Sequence, residues 1–196
     1  MLSLRTEEFP IALYFDEDGR LPPGDYPMTL DELERSILVI GDEEKDDAWD
    51  TKWRLKLIQN LRVMVNQLWK EGFADIYIDG SYATDKLKPG DIDGYFVCSK
   101  PKEMLDSDFE HQLCERLNKH IDKKIWTWKD ADRKRPLPAE KGQLPMWFEY
   151  HVEMWPEYGQ WSGQIHPLTQ VKLTHAELFR ITKTGEDKGI IKLLQK

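Results

Sequence analysis

The run from Ile76 to Val97, IYIDGSYATDKLKPGDIDGYFV, constrains this chain more than any other. Two β-favouring stretches, Ile76-Tyr77-Ile78 and Tyr95-Phe96-Val97, flank the turn-forming Lys88-Pro89-Gly90, which predicts two strands joined by a loop. Gly80 and Ser81 close the first stretch, nine residues follow, and Asp91 and Asp93 lead into the second. Side chains alternate along an extended segment, so Asp91 and Asp93 share a face with Ile92 opposite. Two carboxylates on one face repel unless a cation stands between them, and Mg²⁺ suits that place, since it takes one or two carboxylates with water and phosphate oxygens. Gly80 permits close backbone approach, and a helical turn after it would aim N–H groups at a phosphate. The bland alternative is a common Gly-Ser loop beside a solvated Asp-x-Asp that blunts a strand edge.

A chain of 196 residues can bury a real core, and one domain is expected over 1–196, with 1–47 as an N-terminal extension plus first helix. Hydrophobic residues at 40% against 33% charged place it among folded globular proteins and away from disordered ones. No apolar run is long enough to cross a bilayer, and the Met1 start lacks the basic and apolar regions of a signal peptide, so no membrane partner and a cytoplasmic location are expected. The two cysteines, Cys98 and Cys114, have no metal-ligand spacing and read as reduced, partly buried thiols. A net charge of −8 argues against tight nonspecific binding to a nucleic-acid backbone.

Turn signals fill the first 28 residues, which read as an ordered extension laying Ile11, Leu13, Tyr14 and Phe15 on the main body. Thr29-Leu30-Asp31-Glu32 is a capping box that opens a helix carrying Leu30, Leu33, Ile37 and Ile40, ended by the acidic loop Gly41 to Asp47. A longer helix over Trp49 to Glu71 carries Trp53, Leu57, Leu61, Met64 and Leu68 as its core stripe. Lys52, Arg54, Lys56, Arg62 and Lys70 lie off the stripe and read as solvated, with Arg62 and Lys56 within reach of a bound phosphate. Ser107 to Glu110 reads as a second capping box, before a helix to Ile121 that buries Phe109, Leu113 and Leu117. Residues 119–141 hold eight Lys or Arg against four acids with Trp126 and Trp128 among them, which suits RNA or an anionic substrate, or a surface loop pinned by two indoles. Met146 to Trp155 alternates cleanly as a strand, placing Glu149, His151 and Glu153 on one face. His151 there is a structural histidine or a contact for a base or phosphate. A loop from Pro156 to Pro167, a capping box at Thr174 to Glu177 before a short helix, and an edge strand over Gly189 to Leu194 complete the chain.

The central run resembles the signature of the nucleotidyltransferase superfamily, the polymerase-beta-like fold: Gly-Ser, a spacer, then Asp, an apolar residue, Asp. Asp79 stands where an apolar residue is usual. The whole chain is similar to a family of small bacterial and phage nucleotidyltransferase-like proteins without a settled activity. Three blocks carry this likeness: FDEDGRLPPGDYPMTLDELE, DGSYATDKLKPGDIDGYF and ELFRITKTGEDKGIIKLL, of which the outer two read as structural. The resemblance implies an α+β fold, a mixed sheet flanked by helices, with 48–196 as the catalytic-type core. It implies Mg²⁺ held by Asp91 and Asp93 with a third acid from a later strand. Glu153 and Glu149 both qualify, and the Val-acid-apolar setting of Glu153 is nearer the usual third position. Gly80 and Ser81, with Thr84, Lys86 and Lys88 from the loop, would hold the phosphates of an NTP, ATP first among them.

Two functions follow from this. One is an enzyme, with Asp91, Asp93 and Glu153 catalytic, that moves a nucleoside monophosphate from Mg-bound NTP to a hydroxyl on a protein, an RNA end or a small molecule. The other is a noncatalytic binding module, such as a toxin-antitoxin component or a phage protein that binds a host defence factor. A purely structural cation at Asp91 and Asp93 is the plainest third reading.

Overall fold

Two prolines mark the edges of the sheet. A proline has no N–H for a ladder and is confined to edge strands, and Pro27 lies in β1 (Gly24–Thr29) and Pro156 in β4 (Val152–Glu157), the first and last strands in the order β1-β5-β2-β3-β4. Between them run β5 (Gly189–Leu194), β2 (Ile76–Asp79) and β3 (Ile92–Val97). The β1/β5 and β3/β4 pairs are parallel, while β2 is antiparallel to both β5 and β3. The computed structural model describes residues 13–41, 48–119, 121–135 and 142–196; Ile11 and most of the acidic loop lie outside these.

The fold is α+β, a mixed five-stranded sheet flanked by helices. One face carries Tyr26, Met28, Ile76, Ile78, Ile92, Phe96, Val152, Met154, Ile191 and Leu193, all buried, against the stripe of α3 (Thr51–Lys70) at Leu57, Ile58, Leu61, Met64, Val65 and Leu68. Asp50 caps α3 by accepting the Trp53 N–H at 2.9 Å, and Gly72, at φ +85°, lets the chain leave it. Leu113 and Leu117 of α4 (Asp106–Asn118) join the same core. Among the described residues, no helix is long and apolar enough to cross a membrane.

Several local expectations are corrected. The expected edge strand β5 is interior, because Gly24–Thr29, read as a turn-rich extension, pairs along it as β1. The first helix is two: α1 (Leu30–Glu34), opened by the Thr29 capping box, and α2 (Ile37–Ile40), capped anew by Ser36. That break buries Leu38 and Val39 and leaves Ile40 exposed. Helix α4 begins at Asp106 with no side-chain cap, not with a box at Ser107. Met146 to Trp155 is not one strand: Pro145 starts helix α5 (Pro145–Tyr150), His151 turns the chain in the left-handed region at φ 51°, and β4 follows through Pro156 to Glu157. The Leu144-Pro145 start is the signal that alternation masked.

The largest correction concerns Arg54, expected in solvent and wholly buried. Among the described residues no carboxylate forms an ion pair with it, though the charge of Asp85 favours its protonated form. Its guanidinium donates to the carbonyls of Leu38 at 2.7 Å, Tyr82 at 3.0 Å, Thr84 at 2.9 Å and Lys86, and lies 3.9 Å over the Trp49 ring. Burial pushes its pKa down to about 10, so it remains charged at neutral pH. Carbonyls of the irregular 82–86 segment thereby gain donors that no ladder supplies.

The opposite face carries Tyr77, Tyr95 and Trp155 in register across β2, β3 and β4. Tyr77 stacks on Tyr95 at 4.8 Å, and His175 and Phe179, at the ends of α6 (His175–Leu178), cover Trp155 and Tyr95. Burial holds the His175 pKa down to about 4, leaving a neutral ring whose Nδ1 meets Gln160 Nε2 at 3.1 Å.

Replacing Arg54 by Met should cost roughly 3–5 kcal/mol in denaturant unfolding, since several buried carbonyls lose their donors. Arg62→Met, breaking only the half-exposed pairs with Asp31 and Glu34, should cost less than about 1 kcal/mol; equal losses would contradict the assigned role. The depressed His175 pKa contributes stability that is whole above the ordinary value of 6.5 and is lost as pH falls from there towards 4. That loss, on the order of 3 kcal/mol, should shrink markedly in His175→Phe when unfolding at pH 7 and pH 4.5 is compared.

Candidate functional site

At one end of the sheet β2 finishes and β3, β4 and β5 begin, and four acids meet there. Cross-strand partners project from the same face. Asp79 pairs in register with Asp93, and Asp93 with Glu153, which sets three carboxylates side by side on three adjacent strands. Asp91 precedes β3 by one residue. Asp91, Asp93 and Glu153 line an open cleft of about 580 Å³ together with Gly80, Ser81, Thr84, Arg20, Gln143, Thr182, Lys183 and Lys188. Its size is that of a small-molecule site.

Each acid is held differently. Asp91 Oδ2 accepts the Trp147 indole N–H at 2.9 Å, so α5 orients it. Trp53 donates to Pro89 O at 2.6 Å and steadies the turn before Asp91. Glu153, 4% exposed, accepts the Leu144 N–H at 3.2 Å and has Arg133 Nη1 at 3.8 Å. Asp79, 1% exposed, is paired with Lys188, and its Oδ1 has no hydrogen-bond partner. Burial pushes the Asp79 carboxyl up, against the pull of Lys188 and of the Gly80 amide that donates to it. Lys188 enters from the start of β5 to meet Asp79.

Gly80 opens a 3₁₀ turn, Gly80–Ala83, at φ +78°. A Cβ there would lie 2.6 Å from Asp93 Oδ2, so only glycine allows the carboxylate this close. Thr84 Oγ1 donates to Ser81 O at 2.8 Å and folds the loop back, while Arg54 secures the carbonyls beneath it.

Of the residues expected at a site, Gly80, Ser81, Thr84, Asp91, Asp93 and Glu153 come together. Glu149, Lys86 and Lys88 do not line the cleft. Glu149 lies on α5, beyond the His151 turn, and pairs with Lys123 at 2.6 Å. Lys88 pairs with Asp50 at 2.9 Å, and Lys86 contributes its carbonyl to Arg54. Arg62 is engaged by Asp31 and Glu34, Lys56 is exposed away from the cleft, and His151 packs between Trp53 and Trp147. In the basic segment Trp126 and Trp128 are buried, donating to Gln67 Oε1 and Met154 O, so their faces serve the core. Residues 136–141 of that segment lie outside the described ones.

Sequence reasoning does not single out Arg20, Thr182, Lys183 and Lys188 as site residues. They belong to the two outer sequence blocks, read as structural, which the fold brings to the basic wall of the cleft. Arg20 bridges these blocks through Glu186 at 3.0 Å, and pairs across to Thr84. A cluster of cations in two distant blocks was the available signal; only the β1/β5 pairing unites them.

The donor set is all oxygen, the chemistry a hard divalent cation prefers. No three His, Cys, Asp or Glu among the described residues form a closed ligand set, yet Mg²⁺ asks only one or two carboxylates besides water and phosphate. Asp91 and Asp93, with Glu153 beside them in the cleft, are the residues that could hold one.

No curated protein and no solved structure matches the chain. The model of a family of unknown function (DUF6932) matches residues 13–194, nearly the full length, and the chain belongs to that family.

Proposed function

We propose that the cleft binds a Mg-nucleoside triphosphate and transfers its nucleoside monophosphate to a hydroxyl acceptor. One observation carries this reading: Asp93 and Glu153 in register on adjacent parallel strands, with Asp91 beside them and the Gly80-Ser81 turn and a basic wall across the same cleft. Acids alone would repel a triphosphate and cations alone would need no acids, so a cleft with both suits a phosphate chain accompanied by a metal.

Asp91 and Asp93 would hold Mg²⁺, with Glu153 as the third acid. When bound, Mg²⁺ supplies charge neutralisation for the triphosphate and for the negative charge that develops at the α-phosphorus. The chain's own part is positioning. Trp147 keeps one oxygen of Asp91 engaged and so sets its orientation, and Arg133 with the Leu144 amide does the same for Glu153. The Ser81 hydroxyl and the ammonium of Lys183 line the cleft and would meet the phosphates; the acceptor oxygen would attack the α-phosphorus in line, its proton passing to solvent, as the bond to pyrophosphate breaks. ATP is the first nucleotide to test. A cytoplasmic setting agrees with two free thiols, Cys98 and Cys114, that burial pushes up to about 12 and about 11 and so keeps protonated.

A noncatalytic binding role has one observation in its favour. Arg133, which pairs with Asp130 at 3.0 Å, also stands 3.8 Å from Glu153 and partly offsets its charge, as in a site retained for structure or for a protein partner.

Calorimetry with Mg²⁺ and each of the four triphosphates separates the two. Binding should require Mg²⁺ and weaken at least about 100-fold, on the order of 3 kcal/mol, in the double variant Asp91→Asn with Asp93→Asn. Unchanged affinity in that folded variant, or no binding by the wild type, would sink the enzymatic reading. Ser81→Ala should weaken triphosphate binding by a smaller step, about 1 kcal/mol for one hydrogen bond.

A further inference from the structure

We propose that the pocket at the β4 edge, walled by Trp155 and Trp161, takes a neutral flat ring, the base of a nucleotide or nucleoside. The phosphate or hydroxyl of that molecule lies in the neighbouring acid-lined cleft. Assigning the ring to a nucleobase rests on reading that cleft as a nucleotide site; the pocket's preference for a flat ring does not.

The two pockets adjoin. Glu153 and Trp155 are alternate residues of the edge strand β4, in register with Asp93 and Tyr95, so they project from one face about 7 Å apart. Arg133 spans that gap. Its Nη1 is 3.8 Å from Glu153 Oε1 and its guanidinium lies over the Trp155 ring, 5.5 Å from the ring centre, while its Nε pairs with Asp130 at 3.0 Å. A single nucleoside, from its base to a sugar hydroxyl, covers such a step.

The pocket, about 250 Å³, has room for one ring system, and its walls are built for stacking. Trp161 is 53% exposed and yet fixed: its indole N–H donates to Gln164 O at 2.8 Å. The strap that carries it is tied by Ser162 N–H to Leu173 O at 2.8 Å and by Leu173 N–H to Gln164 O at 3.0 Å. An indole held in place while more than half open gives up little entropy when a ring stacks on it. Trp155 already carries one such stack, the His175 ring at 5.0 Å and 17°. Charge decides what kind of ring enters. Glu110, which accepts the Tyr158 hydroxyl at 2.9 Å, borders the pocket and disfavours an anion inside it, so a phosphate stays outside. Lys172 Nζ stands 4.7 Å from the centre of the Trp161 ring, and Arg133 stands over Trp155, so a cation is repelled as well. A neutral ring meets neither penalty, and stacking on indole stabilises it.

The test compares the full wild-type chain with Trp161→Ala and Trp161→Phe by calorimetry. Three probes are used: adenosine without metal, Mg-ATP, and Mg-tripolyphosphate, which has the phosphates and no ring. Melting temperatures check that the variants are folded, as the exposure of this side chain leads one to expect. Trp161→Ala should weaken binding of a ring-bearing probe at least about fivefold, the lower end of one base stack, and leave Mg-tripolyphosphate unchanged. Trp161→Phe, which keeps a ring, should retain most of the affinity. A loss that includes Mg-ATP assigns the base to the donor nucleotide; a loss for adenosine alone assigns it to the acceptor. Unaltered affinity of Trp161→Ala for both ring-bearing probes, no binding of either by the wild type, or an equal loss for all three probes would each overturn the inference. Mg-dependent triphosphate binding that Trp161→Ala leaves intact, without adenosine binding, would leave the nucleotidyltransferase reading standing. Adenosine binding that Trp161→Ala weakens, with no Mg-dependent triphosphate binding, would do the reverse.

Discussion

A buried guanidinium that donates to backbone carbonyls holds this structure together around its cleft. The segment after the Gly80-Ser81 turn belongs to no ladder, and buried carbonyls without donors would cost more than the segment's own packing returns. Arg54 answers that need from inside α3 by donating to the carbonyls of Tyr82, Thr84 and Lys86, and to Leu38 at the start of the short helix α2. A guanidinium does this where an ammonium would not, because its fork presents several donors in one plane and its face can lie on Trp49. Trp53, one residue earlier, holds the Pro89 carbonyl. The first turn of one core helix thus fixes both halves of the loop that separates Ser81 from Asp91.

With that loop fixed, the end of the sheet becomes an electrostatic problem with a local answer. Carboxylates from β2, β3 and β4 lie in one row, and Gly80, lacking a Cβ, lets Asp93 close against the turn. Lys188 and Arg133 answer the charge at either end, from segments more than fifty residues apart in sequence. Behind the acids, Tyr77, Tyr95 and Trp155 form an aromatic row, with Phe179 packed on Tyr95 and His175 on Trp155. A low dielectric on one side strengthens each charge contact on the other.

Much of this architecture is legible in the amino-acid sequence. Period-two runs at Ile76 to Ile78 and Tyr95 to Val97, the period-3.6 stripe of α3 and the capping boxes at Thr29 and Thr174 each report local physics, and each appears where local physics puts it. Local reading fails where a long-range contact overrides a local pattern. Arg54 reads as solvated because nothing nearby in sequence announces the carbonyls that receive it. Glu149 and Glu153 share a face in an ideal strand, and Pro145 with the left-handed His151 places them on different elements.

By itself the sequence determined that Asp91 and Asp93 enter a strand together, that Gly80 and Ser81 precede them in a turn, and that acids and glycines of this kind belong to one loop. Alternation and turn chemistry are properties of neighbouring residues, so they survive without the fold. Only the tertiary structure decided which later acid joins the pair and which cations face it. The parallel register of β3 with β4 selects Glu153 over Glu149, and the insertion of β5 between β1 and β2 delivers Lys188 to Asp79. Register and strand order are set by burial of the whole sheet's apolar face, a condition that no single stretch of the chain expresses.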